Sequence, residues 1–351
     1  MSPHEKRQAE DIAVYIQLLG GSARLHTNCH AMNQRMHCSI FFGLVCLVLA
    51  GCSTPRLRPH EGYAAVPGGR VWYKVVGSGT GVPLLLLHGG PGASSRYLEP
   101  LSVLGNERPV IFYDQLGCGR SDRPSDTNLW RVERFVEELK AVRQGLGLRR
   151  LHIFGHSWGA MLAVEYMFTR PRGVESLVLA SGAFNMERAI RDLNRTVAGL
   201  PPDVREKLLR NIANHTTDSA EYKEAEAVYW RRHMLRTEPP PPDLPDMDRD
   251  FGHEVHRTMY GDSLLTVTGV LKDYDCAPRL HELRLPVLFT AGQYDDSTPA
   301  ENAWYQNLVP GARLEIFENA GHLTTLDSPE RSAEVVRAFI QQVERGTRKY
   351  K

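Results

Sequence analysis

The chain has no apolar run long enough to cross a bilayer, little cysteine beyond residue 52, and almost no excess of either charge. A membrane-spanning helix needs about 20 consecutive apolar residues, whereas residues 38–50 supply 13. Basic side chains number 42 against 41 acidic ones, a net charge of +1. No field of one sign is present to gather a polyanion, so nucleic acid is not an expected partner. Of six cysteines, only Cys118 and Cys276 lie beyond residue 52. Two such distant thiols form no disulfide framework, and no Cys-x-x-Cys or Cys/His spacing offers a zinc site. No metal or organic cofactor is implied. What remains is a 351-residue chain, 42% hydrophobic and 24% charged, the balance of a soluble globular protein.

The short apolar run has a different meaning. Arg35 precedes it, and Ala50 and Gly51 close it. A basic stretch, a short apolar stretch and a small-residue cleavage site describe a secretory signal. Leu49-Ala50-Gly51-Cys52 resembles the bacterial lipobox, whose cysteine is acylated and becomes the first mature residue. That resemblance implies lipidation at Cys52 and membrane association by a lipid anchor. Ser53 in the next place, by likeness to Gram-negative lipoproteins, directs the protein to the periplasmic face of the outer membrane. The expected leader is therefore residues 1–51, with Met32 and Met36 as alternative starts.

From about Gly62 onward, strand-like and helix-like segments alternate. Residues 83–87, 110–113 and 151–154 are apolar runs of the kind buried on both faces of a sheet. Residues 132–146 carry Val132, Phe135, Val136, Leu139, Val142 and Leu146 at helical spacing. Helices are also expected over 158–168, 299–308 and 329–343, with further strands over 70–76, 176–179, 287–291 and 313–317. Such alternation indicates an α/β fold around a mostly parallel sheet. Between residues 185 and 272 strand-like runs are missing, and polar helical stretches, such as those expected over 204–212 and 220–235, accompany an extended proline-rich connector at 238–242. The expected domains are thus a core over 52–184, an inserted helical cap over 185–272, and the rest of the core over 273–351.

The chemistry gathers where strands end. Gly155-His156-Ser157-Trp158-Gly159 follows one strand and opens one helix, the setting of a nucleophile elbow. A serine hydroxyl needs a base, and the base needs an orienting carboxylate. In this arrangement the chain order is Ser, then Asp or Glu, then His. Asp295 and His322 follow the strands at 287–291 and 313–317, at the sheet edge where open α/β folds place their sites. Asp296 is the rival acid. His88-Gly89-Gly90-Pro91-Gly92 follows the strand at 83–87. Its backbone N–H groups, with that of Trp158, are suited to an oxyanion hole, with His88 as a support of the loop.

These motifs resemble the proline iminopeptidase family of α/β hydrolases, which includes the tricorn-interacting aminopeptidase. The likeness continues in Asp114-Gln115-Leu116-Gly117-Cys118-Gly119-Arg120-Ser121, in residues 268–275 and in Gly292-Gln293-Tyr294-Asp295-Asp296-Ser297-Thr298-Pro299. It runs from about Gly62 to the end of the chain. It implies an α/β-hydrolase core with a helical cap. The implied catalytic residues are Ser157, Asp295 and His322, and the implied oxyanion donors are Gly90 and Trp158. The implied activity is release of N-terminal residues, often proline, from short peptides through an acyl-enzyme.

One departure matters. The resemblance implies acidic side chains for the substrate's free amine: one directly after the triad aspartate, where Asp296 stands, and one in a Gly-Pro-Asn-Glu-Phe-like stretch of the cap. Here that stretch reads Gly261-Asp262-Ser263-Leu264-Leu265, so Leu264 replaces the glutamate. A leucine cannot pair with a buried ammonium. The expected substrate is therefore a small peptide, amide or ester. An esterase, lactonase or N-acyl amide hydrolase is the neighbouring alternative, and a non-enzymatic binding lipoprotein is the remote one. The sequence sets no oligomeric state.

Overall fold

The computed structural model describes residues 57–242 and 244–348. The expected leader and Cys52 lie outside them. Eight strands form a single sheet: β1 (His60–Val66), β2 (Gly69–Val76), β3 (Leu84–Leu87), β4 (Val110–Tyr113), β5 (Leu151–His156), β6 (Val174–Ala180), β7 (Val287–Gly292) and β8 (Arg313–Phe317). Their order is β1-β2-β4-β3-β5-β6-β7-β8. The β1/β2 and β2/β4 pairs are antiparallel, and every later pair is parallel.

The apolar runs are explained by what covers them. All four leucines of β3 are fully buried. Side chains alternate along a strand, so Leu85 and Leu87 join one apolar cluster while Leu84 and Leu86 join the other. In β4, Ile111 and Tyr113 divide from Val110 and Phe112 in the same way. Helices α1 (Val132–Gly145) and α2 (Trp158–Phe168) cover the first face through Phe135, Leu139, Val142 and Leu162. Between β6 and β7 come α3 (Met186–Ala198), α4 (Pro202–Ala213), α5 (Ala220–Tyr229), α6 (Leu244–Arg249) and α7 (His253–Met259). After β7 come α8 (Pro299–Leu308), the one-turn α9 (Thr324–Asp327) and α10 (Pro329–Arg348). Val336, Phe339 and Ile340 of α10 close the second face.

The inserted helices hold a small core of their own, with Leu193, Val197, Leu208, Tyr222 and Tyr229 among its members. A bridge between Asn185 and Asp275 ties the two ends of the insertion together. Helix α5 is expected to run on to residue 235. It instead loosens into a π-turn over Trp230–Met234. The 3-10 segment Ser95–Asn106 holds Pro100, and its mixed pattern gave no expectation of an element. The strand order reverses beside β3, which has β4 on one side and β5 on the other. In open α/β sheets the crevice for ligands opens at such a point, beyond the carboxyl ends of the strands.

Candidate active site

Ser157 stands at the tip of the turn between β5 and α2, with φ 54° and ψ −119°. A non-glycine residue held there stores about 1–3 kcal/mol of strain. The flanking glycines permit it by close approach. A β-carbon on Gly159 would lie 2.1 Å from the Leu87 carbonyl oxygen, and one on Gly155 would lie 2.3 Å from that of Gly159. The side chain is thus lifted beyond the sheet edge at the start of a helix, where backbone N–H groups favour developing negative charge.

His322 Nδ1 lies 2.8 Å from Asp295 Oδ1. Both are hydrogen-bonding distance from each other, and Asp295 is fixed from several sides. Its Oδ2 accepts from Ser181 Oγ at 2.6 Å and from the Gly292 N–H at 3.2 Å, and its Oδ1 accepts from the Ser297 N–H at 2.9 Å. Asp296 reaches the same nitrogen: its Oδ1 is 3.0 Å from His322 Nδ1. Its Oδ2 accepts from Tyr229 Oη at 3.3 Å. Asp295, Asp296 and His322 each bring an atom within 4.8 Å of the others, a spacing that suits a metal ion as well as an acid–base cluster. The N···O separations are those of hydrogen bonds.

The charges follow from these contacts. Burial pushes the Asp295 carboxyl up, and the imidazole beside it pulls only part of the way back. Burial acts on Asp296 too, but His322 and the Ser297 N–H outweigh it and bring its pKa down to about 2. Burial alone would lower His322. The carboxylates of Asp296 and Asp295 overcome that and hold it well above its ordinary value.

The glycine loop after β3 stands next to the serine. A β-carbon on Gly89 would lie 3.0 Å from Ser157 Cβ. Gly90 has φ +111°, a conformation open to glycine. Trp158 is the first residue of α2, where an N–H has no intrahelical acceptor. The loop is braced from below. His88 Nε2 accepts from the Gln115 N–H at 2.8 Å, Gln115 Nε2 donates to the His88 carbonyl at 2.9 Å, and Trp158 Nε1 donates to Gln115 Oε1 at 2.8 Å. His88 is fully buried, and burial lowers its pKa, which fits a neutral support and not a base. From the cap side, the Gly252 N–H and His256 Nδ1 donate to the Gly92 and Pro91 carbonyls at 2.7 and 3.1 Å.

A cavity of about 580 Å³ lies between the core and the inserted helices, lined by Gly90, Ser157, Trp158, Asp296 and His322 among others. The structure therefore brings together all the candidate residues that it describes, save Asp295, which sits behind His322. Leu264 lines the same cavity. Asp262 stands in an exposed ion pair with Arg257. Glu226, on α5, lines the cavity with its carboxyl pushed up by burial. Glu301, on α8, does so with a pKa raised to about 8, again by burial.

Sequence reasoning missed several supporting residues. Ser181, which donates to Asp295, follows β6 at the functional sheet edge with φ 53°; its place after a strand was the available signal. Tyr229 and Glu226 lie on an ordinary-looking cap helix, and nothing local marks them.

The family of the alpha/beta hydrolase fold matches residues 82–329. A proline iminopeptidase of Heyndrickxia coagulans is 41% identical over 285 residues, covering 81% of this chain and 99% of its own. The crystal structure of a proline iminopeptidase of Mycobacterium smegmatis superposes with a TM-score of 0.77 at 32% identity, covering 82% of this chain and 100% of that one. The crystal structure of VinJ does so with a TM-score of 0.78 at 34% identity and the same coverage. The chain belongs to the proline iminopeptidase family of the α/β hydrolases.

Proposed function

We propose that the protein is a serine aminopeptidase that releases N-terminal residues, proline among them, from short peptides. The observation that carries this reading is His322 seated on Asp295 in the wall of the cavity onto which the strained Ser157 opens. Ser157 Oγ attacks the carbonyl of the first residue. His322, its Nδ1 proton held by Asp295, takes the serine proton on Nε2 and then delivers it to the leaving amine. Gly90 and Trp158 N–H groups receive the oxyanion. Water then attacks the acyl-enzyme with His322 as base again. Asp296, ionised in the cavity wall, supplies the countercharge to the substrate's ammonium. Glu226 faces the same space and is drawn into its ionised form by an arriving cation.

Ser157→Ala should lower kcat by about 10⁴-fold or more. The discriminating measurement is the ratio of kcat/KM for free versus N-acetylated prolyl arylamide. A ratio above one supports the amine reading. Preference for the blocked substrate hands the site to the amidase or esterase alternative, which Leu264 in the cavity wall favours.

The expected anchor is part of the same reading. The mature chain begins at an acylated Cys52 and is held on the periplasmic face of the outer membrane. Intact mass should show lipid on Cys52, and Cys52→Ala should abolish it. A mature terminus elsewhere refutes the lipobox. One acyl chain holds only weakly, so stable retention requires more than one.

A further inference from the structure

The side chain just before the nucleophile is a histidine that the reaction above does not use. His156 is 2% exposed, and so is Tyr97, which lies against it. Tyr97 Oη is 2.8 Å from His156 Nδ1, and His156 Nε2 is 2.9 Å from the His322 carbonyl oxygen. The Gly89 N–H donates to Tyr97 Oη at 2.6 Å. A carbonyl oxygen only accepts, so His156 Nε2 carries the proton. In a neutral ring Nδ1 then accepts, and the Tyr97 hydroxyl must donate to it. That leaves the hydroxyl oxygen to receive the Gly89 N–H. A single arrangement of protons satisfies the whole chain, Gly89 to Tyr97 to His156 to His322.

We propose that Tyr97 and His156 are a positioning pair that holds the oxyanion loop and the catalytic-base loop at a fixed separation across Ser157. The two ends of the chain are the groups that must keep register during the reaction. Gly89 precedes the oxyanion donor Gly90, and the His322 carbonyl belongs to the base itself. The two loops leave different strands, β3 and β8, which are not neighbours in the sheet, so sheet pairing does not set their distance. The pair is anchored in turn: Thr325 Oγ1, on α9 just after the base, donates to the Tyr97 carbonyl at 3.0 Å. The rings of His156 and His322 meet edge to face, with centroids 4.7 Å apart. Burial brings the His156 pKa down to about 3, so the neutral tautomer that the chain needs persists across the working range. The proposal rests on Ser157, His322 and Gly90 having the roles assigned above.

The test is Tyr97→Phe, which keeps the ring and deletes the hydroxyl. On a prolyl arylamide kcat should fall about 10- to 100-fold, the scale of a small misplacement of reacting groups, with KM changed less than about twofold. The rate of Ser157 labelling by a fluorophosphonate, which needs no amine contact, should fall by a similar factor. His156→Leu should act likewise, and His156→Gln, which keeps an N–H donor and an acceptor, should recover part of the loss. Because the two residues act as one chain, the Tyr97→Phe, His156→Leu double variant should be no worse than the poorer single one. Unchanged kcat and labelling in soluble, folded Tyr97→Phe would overturn the proposal, as would a loss confined to KM or strictly additive losses. Failure of wild type to label at all would instead sink the hydrolase reading beneath it.

Discussion

His322 faces two carboxylates, and they are not equivalent. Asp295 is buried and held by three hydrogen bonds besides that of the imidazole. Asp296 is partly open to the cavity and fully ionised in character. Asp295→Asn would present the imidazole with an amide and favour the wrong tautomer, which in comparable triads costs about 10⁴-fold. Here Asp296 Oδ1 at 3.0 Å still offers an acceptor. We expect about a 10²-fold fall in kcat on a blocked ester, and a fall of about 10-fold for Asp296→Asn. The opposite order would make Asp296 the orienting acid. The pH dependence follows with a definite sign. In the proposed reaction His322 works as a neutral base, and both carboxylates raise its pKa, so kcat/KM should fall as pH drops through a value above the ordinary 6.5 or so of histidine. Asp296→Asn removes one source of that rise and should move the acidic limb to lower pH. An unmoved limb would mean that Asp296 does not act on His322 in solution. The positions of Ser157, Asp295 and His322 were legible because each follows a strand in a fixed chain order. The closeness of Asp296 to Nδ1 was not, since adjacent residues in a turn can send their side chains to the same side or to opposite ones.

Among the elements, the π-turn after α5 does more than end a helix. The His233 carbonyl accepts the His322 N–H at 2.8 Å, and the Met234 carbonyl accepts that of Leu323 at 2.9 Å. His233 Nδ1 donates to the Tyr294 carbonyl at 2.8 Å. One cap residue therefore grips the loop of the base through its backbone and the loop of the acid through its ring. Such π segments occur often at functional sites. His233→Ala removes the part-buried hydrogen bond to the Tyr294 carbonyl and should cost about 0.5–1.5 kcal/mol of stability. It should also lower kcat at temperatures where the protein stays folded. Thermal denaturation alongside kinetics on the same preparation checks both, and an unaltered kcat would reduce His233 to a packing role. The sequence showed a polar helical stretch here but had no signal for the π-turn, because the helical pattern continues through Trp230 and Met234. The buried strands were plainer. Runs such as Leu84–Leu87 have apolar side chains on both faces, which only a sheet covered on both sides explains. β1 was missed, since His60–Val66 mixes exposed and half-buried positions at the sheet edge.

At the scale of the whole molecule, the helical insertion roofs the sheet edge and turns an open crevice into a chamber. Helix α7 begins at the brace on the oxyanion loop, α5 ends at the brace on the triad loops, and the chamber lies between them. Its volume of about 580 Å³ falls within the range of small-ligand sites. That space accepts a short peptide in an extended form but not a folded chain, and the braces oppose lifting of the roof, since each would expose paired backbone groups. Substrate length should therefore control turnover. For peptides headed by proline, kcat/KM should be highest for those of a few residues. It should decline steeply well before a length of about twenty, with the loss mainly in KM because the chemistry at the first residue is unchanged. Proline release from a length series, measured at equal concentration, checks this. Equal kcat/KM across the series would mean that the cap opens freely in solution, and the braces on the oxyanion and base loops would then have to be remade in each turnover.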